Sequence, residues 1–473
     1  MTLTKVMHFA LGPLASALIA LILIPIMAWI YPVEDIGRYG LLQVVVSFLA
    51  MVMTLGLDQA YVREYHEVKD RRALLLECLL PGILLLILVV LIAGCFNFSE
   101  LLNSNLLEYD SPLLEYLIIT CVIFMFISRF LGLILRMQER GLAYSVSQIL
   151  PKAAFLMMLL AIFFIKVKVD FIYLVLCFTL SVMLVTVILV INLRSELAKI
   201  RYAAVDLKRL KFMLKYSIAL LASNVFYWAL ISIDKIFIKT LSNLEEVGLY
   251  SMALSFSGAA LIFQMVFSTV WAPIVYKWAS EGLDVDKINK VVKYATIAVC
   301  FIWVFSGILS PAISFFLPRD YSDVQYLLLA VIAHPLLYLL SEASAVGIGV
   351  TRKSYLALLT HVIAVIVNAL GNWFLVPVYG AAGAASSLAI SFLVFFILKT
   401  EFSRYVWGAG DMAKAYFLTT FLVLTSILAN IGPWSGFLEH YTYWVLLFLL
   451  ILLYRSDLRD IFIYINGKAN KKN

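Results

Sequence analysis

The chain has 473 residues, 64% of them apolar and 14% charged, with a mean hydropathy of +0.99. A soluble domain carries about 25% charge and 45–50% apolar residues, so a string of ordinary soluble domains is excluded, and the long apolar blocks point to a polytopic membrane protein. The net charge of +7, from 36 Lys plus Arg against 29 Asp plus Glu, is of the kind that collects in cytoplasmic loops and does not call for nucleic acid.

A spanning helix needs about 20 apolar residues. Taken in chain order, that ruler gives spans at 9–31, 39–60, 73–95, 113–135, 142–165, 171–193, 216–238, 247–276, 294–317, 325–350, 355–376, 381–398, 415–432 and 441–454, fourteen in all. The first follows a single Lys5 and has no small-residue cleavage site, so it is expected to stay as a span rather than leave as a signal peptide. The eighth is long and the fourteenth short. Cys78, Cys95, Cys121, Cys177 and Cys300 all fall in apolar runs without CxxC or metal-ligand spacing, and read as small buried hydrophobes.

The distribution of Lys and Arg orients the spans. With the N-terminus inside, 28 fall on the inner side, 5 on the outer side (Arg38, Lys166, Lys168, Lys239 and Arg319) and 3 within spans (Arg129, Lys152 and Lys235). That bias has the expected sign and places both termini in the cytoplasm. The longest outer loop, 96–112, has 17 residues and the longest inner one, 194–215, has 22. No loop is long enough for a soluble domain, so the work falls to the membrane-embedded part.

Ionisable groups inside spans cost about 2.5–3.5 kcal/mol each on insertion scales and are functional candidates by default. Asp58 ends span 2, five residues before Arg63, and is also placed for a boundary salt bridge. Arg129 sits seven residues before Arg136 on span 4, where its alternative reading is snorkelling or pairing with a carboxylate. Lys152 follows Pro151 ten residues into span 5, about 15 Å deep at 1.5 Å per residue. Asp234 and Lys235 are neighbours near the outer end of span 7. On a helix they point about 100° apart and cannot form one clean pair. Glu342 on span 10 and His361 on span 11 lie at similar depth from the inner side. They are expected to meet, as a proton or cation site or as a buried hydrogen bond. Asn368 and Asn372, one turn apart on span 11, would bind sugar or join helices, and His334 precedes Pro335 where it would cap a broken helix.

An internal repeat accompanies this layout. Glu34-Asp35-Ile36-Gly37-Arg38-Tyr39 recurs as Glu245-Glu246-Val247-Gly248-Leu249-Tyr250, 211 residues later, each copy opening an even-numbered span. An offset of six spans keeps the topology, so the halves are expected to be parallel repeats about an axis along the membrane normal.

Several motifs resemble one family in order. These are Gly56-Leu57-Asp58 with Arg63, the stretch from Ser232-Ile233-Asp234-Lys235 through Glu246-Val247-Gly248-Leu249-Tyr250 to Pro273, and the turn Val376-Pro377-Val378-Tyr379-Gly380-Ala381-Ala382-Gly383-Ala384-Ala385. Over about residues 5–400 the chain resembles the Wzx-type lipid-linked oligosaccharide flippases of the multidrug/oligosaccharidyl-lipid/polysaccharide (MOP) exporter superfamily. The resemblance implies an all-α fold of two six-helix bundles, 1–193 and 216–400, around a cavity open alternately to each side. A basic linker (194–215) would join them, and 401–473 would hold helices 13–14 and a basic tail. It implies movement of undecaprenyl-pyrophosphate-linked repeat units of O-antigen or a related surface polysaccharide across the bacterial inner membrane. The implied partners are that lipid-linked oligosaccharide, membrane lipids, and glycan polymerase and chain-length machinery.

Such a substrate needs cations for phosphate and hydroxyl or amide groups for sugar. Arg129, Lys152, Lys235, Asn368 and Asn372 are therefore the expected binding residues, with Arg129 and Lys152 as a cationic floor. Asp58, Asp234, Glu342 and His361 are candidates for H+ or Na+ coupling, and no cofactor or metal is expected. A multidrug or lipid II exporter on the same fold is the alternative, and a membrane glycan polymerase or ligase a further one. No HExxH, GxSxG, P-loop or CxxC pattern supports an enzyme.

Overall fold

A computed structural model describes residues 3–95, 105–165, 170–198, 204–281, 285–351, 353–408, 410–432, 438–457 and 459. Lys166 and Lys168, most of the outer loop 96–112, residues 199–203 of the linker and the tail beyond 459 lie outside the described residues, as do the side chains of Lys5, Cys95 and Pro273.

The protein is an all-helical, multi-pass membrane protein. Among the described residues twelve helices are long and apolar enough to cross a bilayer. One of them, Ser354–Trp407, holds two spans, because Gly380 has φ 52° and ψ −129° in its middle and turns the chain between spans 11 and 12. With the short Leu438–Leu453 as the last, the fourteen spans are accounted for. Spans 1, 3 and 5 carry internal prolines (Pro13, Pro25, Pro81 and Pro151), which membrane helices tolerate when neighbours satisfy the freed backbone groups, and Pro377 stands just before the Gly380 turn.

Two compact units divide at Ile262/Phe263, inside the long helix Leu244–Ser280 of span 8. In the first unit, span 1 (Leu3–Ile30) packs along span 5 (Gly141–Ile165), span 4 (Pro112–Met137) along span 6 (Phe171–Asn192), and span 2 (Val33–Met53) against spans 4 and 7. Span 7 is the helix Leu207–Leu241, N-capped by Asp206, whose carboxylate accepts from the Lys208 and Arg209 amides. In the second unit, span 10 (Val324–Val331, Ala333–Ser344 and Val346–Val350) packs against Ser354–Trp407 and against span 9 (Val285–Leu309).

Three local features of the first unit set its geometry. Span 2 breaks at Leu55 (φ 49°) and Gly56 (φ 72°) before resuming as Leu57–Glu64. Glycine takes that left-handed turn at little cost, and it also lets the chain meet the Ser217 carbonyl of span 7, which a β-carbon would strike. Second, the two repeat motifs touch. A methyl on Gly37 would strike the Leu244 carbonyl and come within 3.1 Å of the Gly248 nitrogen, and a methyl on Gly248 would strike the Val33 carbonyl. Val33 and Leu244 are themselves 211 residues apart, so one contact is made twice, as a local two-fold axis requires. Third, the described end of the loop before span 4 is strapped down. Arg38 Nε donates to the Leu107 carbonyl at 3.0 Å, Lys239 pairs with Glu108, and the Tyr109 hydroxyl donates to Asp170 at 2.8 Å. Burial and that bond to a carboxylate push the Tyr109 phenol up to about 12.

A clamp that no motif announced lies near the start of span 3. Glu77, 0% exposed, accepts from Arg209 Nε and Nη2 and from the Asp206 amide, each at 2.7 Å. It ties span 3 to the first turn of span 7. Cys78, Cys121, Cys177 and Cys300 are free and buried.

Candidate functional site

The charged and polar residues singled out from the sequence sort into paired groups within the helix walls and groups that open onto cavities. Asp58 is nearly buried and accepts from Arg129 Nε at 2.9 Å and Nη2 at 2.6 Å. The expected Asp58–Arg63 pair therefore does not form. Arg63 instead lies over the Tyr216 ring at 4.9 Å, with Glu64 at 3.9 Å. The Arg129 guanidinium is neutralised across spans 2 and 4. Lys152 donates to the Ser16 carbonyl of span 1 at 3.2 Å. The cationic floor expected of Arg129 and Lys152 is thus altered by Asp58, which neutralises Arg129 from span 2.

Lys235 is placed differently. Its ammonium lies 3.5 Å from the Gly40 carbonyl of span 2, and among the described residues no carboxylate comes within ion-pair distance of it. Its sequence neighbour Asp234 points elsewhere, as helical geometry requires. Asp234 is fully buried and accepts a 2.5 Å bond from the Tyr250 hydroxyl of span 8. Lys235 lines a cavity of about 300 Å³ with Gln43 and Ser47 of span 2, Ser232 of span 7, and Met125 and Phe178 of spans 4 and 6. Trp228 donates to Ser47 at 3.1 Å and its ring meets Phe48 at 4.7 Å, which seats span 7 on span 2. The cavity thus carries one ammonium, an amide and two hydroxyls on an otherwise apolar wall. Chemically, such a lining can hold a polar, anionic group.

In the second unit the expected Glu342–His361 contact is replaced. Glu342 takes Lys399 at 2.8 Å, and His361 places Nδ1 2.7 Å from the Ala357 carbonyl with its ring against Phe395. The apolar run 381–398 stops at Leu398, which leaves Lys399 on the inner side of span 12. The helix continues to Trp407, so the lysine is buried inside it. The signal that could have found it is a lysine only one residue beyond an 18-residue run, short of the length a span needs. Asn372 Nδ2 donates to the Asn368 carbonyl at 2.9 Å and to its side-chain oxygen at 3.0 Å. Both are fully buried. His334 is buried with its ring 4.5 Å from Phe392.

Residues 2–278 match the family described as polysaccharide biosynthesis protein. The chain belongs to the polysaccharide biosynthesis protein family. The fold is that of the MOP-superfamily transporters. It is similar to a structure titled "Lipid II flippase MurJ, inward closed conformation", with a TM-score of 0.71, 13% identity and coverage of 96% of this chain and 99% of that one. It is also similar to an outward-facing multidrug resistance MATE family transporter of the MOP superfamily, with a TM-score of 0.58, 13% identity and coverage of 88% and 96%. An inward-facing MATE family transporter superposes with a TM-score of 0.54 at 15% identity, covering 89% and 96%. No curated protein matches the chain.

Proposed function

We propose that this protein is a flippase that moves undecaprenyl-pyrophosphate-linked oligosaccharide repeat units from the inner to the outer leaflet of the bacterial inner membrane by alternating access. The observation that carries the reading is the Lys235 cavity, where an ammonium without a carboxylate partner among the described residues stands beside Gln43, Ser47 and Ser232. An unneutralised cation within a span is costly unless an anion or water neutralises it, and a pyrophosphate is such an anion. The amide and hydroxyls suit the first sugar. The drug-export reading calls for acidic cavity groups, and Asp58, Asp234 and Glu342 are instead engaged by Arg129, Tyr250 and Lys399.

Alternating access needs a closure that can open. The reciprocal contact at Gly37 and Gly248 brings the backbones of spans 2 and 8 together, with the small side chains of Val33 and Ser251 set against the facing glycines Gly248 and Gly40. The lipid tail stays in the bilayer, where the apolar groove between spans 13 and 14, lined by Phe417, Phe421, Leu446 and Leu450, offers it a surface.

The test is flipping of a lipid-linked oligosaccharide in proteoliposomes, with lipid II and a cationic dye as comparison substrates. A hydrogen bond to a charged group contributes about 1.5–3 kcal/mol. Lys235→Ala should therefore weaken binding of the pyrophosphate carrier roughly 10- to 100-fold, and Lys235→Arg should restore most of it. Unchanged flipping in Lys235→Ala, or dye transport without lipid-linked oligosaccharide transport, would overturn the reading.

A further inference from the structure

The second unit holds a largely apolar cavity with a polar corner, which the Lys235 site does not use. It has a volume of about 200 Å³ and is lined by Trp271 of span 8, Ser341 and Glu342 of span 10, and Lys399 of span 12, with Val275 and Gly349 completing the wall. We infer that this cavity is a subsite for a single neutral sugar ring, with Trp271 as its aromatic platform and the Glu342–Lys399 pair binding ring hydroxyls. The inference rests on the flippase reading for the origin of the sugar, and on this cavity's own chemistry for the rest.

The groups are held in place before any ligand arrives. The Trp271 indole N–H donates to the Glu342 carbonyl at 3.0 Å. Phe267 stacks against its ring at 5.7 Å and Trp278 meets it edge-on at 5.9 Å, so Trp271 is 6% exposed and offers the cavity one remaining part of its ring. Lys399 donates to Glu342 Oε1 at 2.8 Å and to Ser341 Oγ at 3.3 Å. Its ammonium also sits 5.0 Å from the Tyr338 ring and 5.1 Å from that of Phe395, so it is fixed from several directions.

A charge pair that served only to join spans 10 and 12 would have no need of an open side. This one keeps its Glu342 side chain 29% exposed, with Lys399 at 11%, and its open side lines the cavity. The ammonium has three N–H groups, of which two are used. The carboxylate has a second oxygen beyond the one that takes Lys399. A donor and an acceptor on adjacent groups match neighbouring hydroxyls of a pyranose.

The net charge of the pair is zero. That disfavours a free anion, which Glu342 would repel, and a free cation, which Lys399 would repel. A lipid chain is disfavoured as well, since it would leave the polar atoms without partners at a cost of about 1–3 kcal/mol each. The C–H face of a sugar ring carries partial positive charge and suits the negative face of an indole. The cavity is small, at about 200 Å³, which is the scale of one sugar ring. The cavity lies toward the ends of spans 8, 10 and 12 that the charge bias assigns to the cytoplasm, where a newly made repeat unit would arrive.

The test uses the intact purified protein and a panel of uncharged sugars, methyl α-glucoside, methyl α-galactoside and N-acetylglucosamine, with glycerol as the control. Equilibrium dialysis of the radiolabelled sugars should show saturable binding of at least one, and tryptophan emission should change with the same midpoint. Trp271→Phe should remove the emission change, and Glu342→Gln should weaken binding at least fivefold. Trp271→Tyr, which keeps a platform, should retain dialysis binding even where Glu342→Gln folds poorly. Binding of undecaprenyl pyrophosphate, read separately, should be lost in Lys235→Ala and kept in Trp271→Phe, so failure here is distinct from failure of the flippase reading. No saturable sugar binding to the wild-type protein, equal binding to the Glu342→Gln protein, or displacement of the Lys399 contact by sodium or phosphate in place of sugar would each overturn the inference.

Discussion

The Glu77–Arg209 clamp offers the most direct test of the energetics. Arg209→Ala removes two of the three 2.7 Å bonds to a carboxylate that is 0% exposed, leaving it with only the Asp206 amide. An uncompensated buried charge of this kind costs about 3–5 kcal/mol. Glu77→Ala is the milder change, because the orphaned Arg209 side chain is already 24% exposed and can reach water or headgroups. Its cost should be about 1–3 kcal/mol, that of charged hydrogen bonds lost without a buried orphan. The double variant no longer buries a lone carboxylate, so it should resemble Glu77→Ala and be more stable than Arg209→Ala. The coupling energy from the cycle should then be roughly 2 kcal/mol or more. Unfolding free energies of the four proteins in mixed micelles titrated with dodecyl sulfate supply the measurement. Additive losses, or an Arg209→Ala protein within about 1 kcal/mol of wild type, would refute the claim that the clamp is a desolvated, mutually dependent pair.

Gly37→Ala and Gly248→Ala should each part spans 2 and 8, at about 1–3 kcal/mol of overpacking. Spin labels on the exposed Glu34 and Glu245 should report a longer distance in both variants, and an unchanged distance would contradict the reciprocal contact. Arg129→Ala strands Asp58, and Asp58→Asn should relieve that loss, measured as recovered thermal stability in the double variant. Reporter fusions at residues 104 and 205 should fall in opposite compartments, and a shared compartment would break the span count.

Hydropathy is a one-dimensional property, and what depends on it alone was legible in the sequence. The number of spans, their order, the turn at Gly380 and the all-helical membrane class follow from run length, because a bilayer demands about 20 apolar residues wherever the chain crosses it. The repeat was legible too, since Gly37 and Gly248 share a motif. That the two copies touch each other was not, because sequence offset carries no distance. Depth could be estimated from position along a span, and it placed Glu342 at a level where a partner would be found. Which partner depends on the rotation of each helix about its axis and on neighbours from distant segments. Only packing therefore decided that Glu342 takes Lys399 and Asp58 takes Arg129. The same holds for Lys235, near the outer end of span 7. Its role as the cation facing a cavity rests on where spans 2, 4, 6 and 7 meet, a relation among residues up to 195 positions apart that no local pattern encodes.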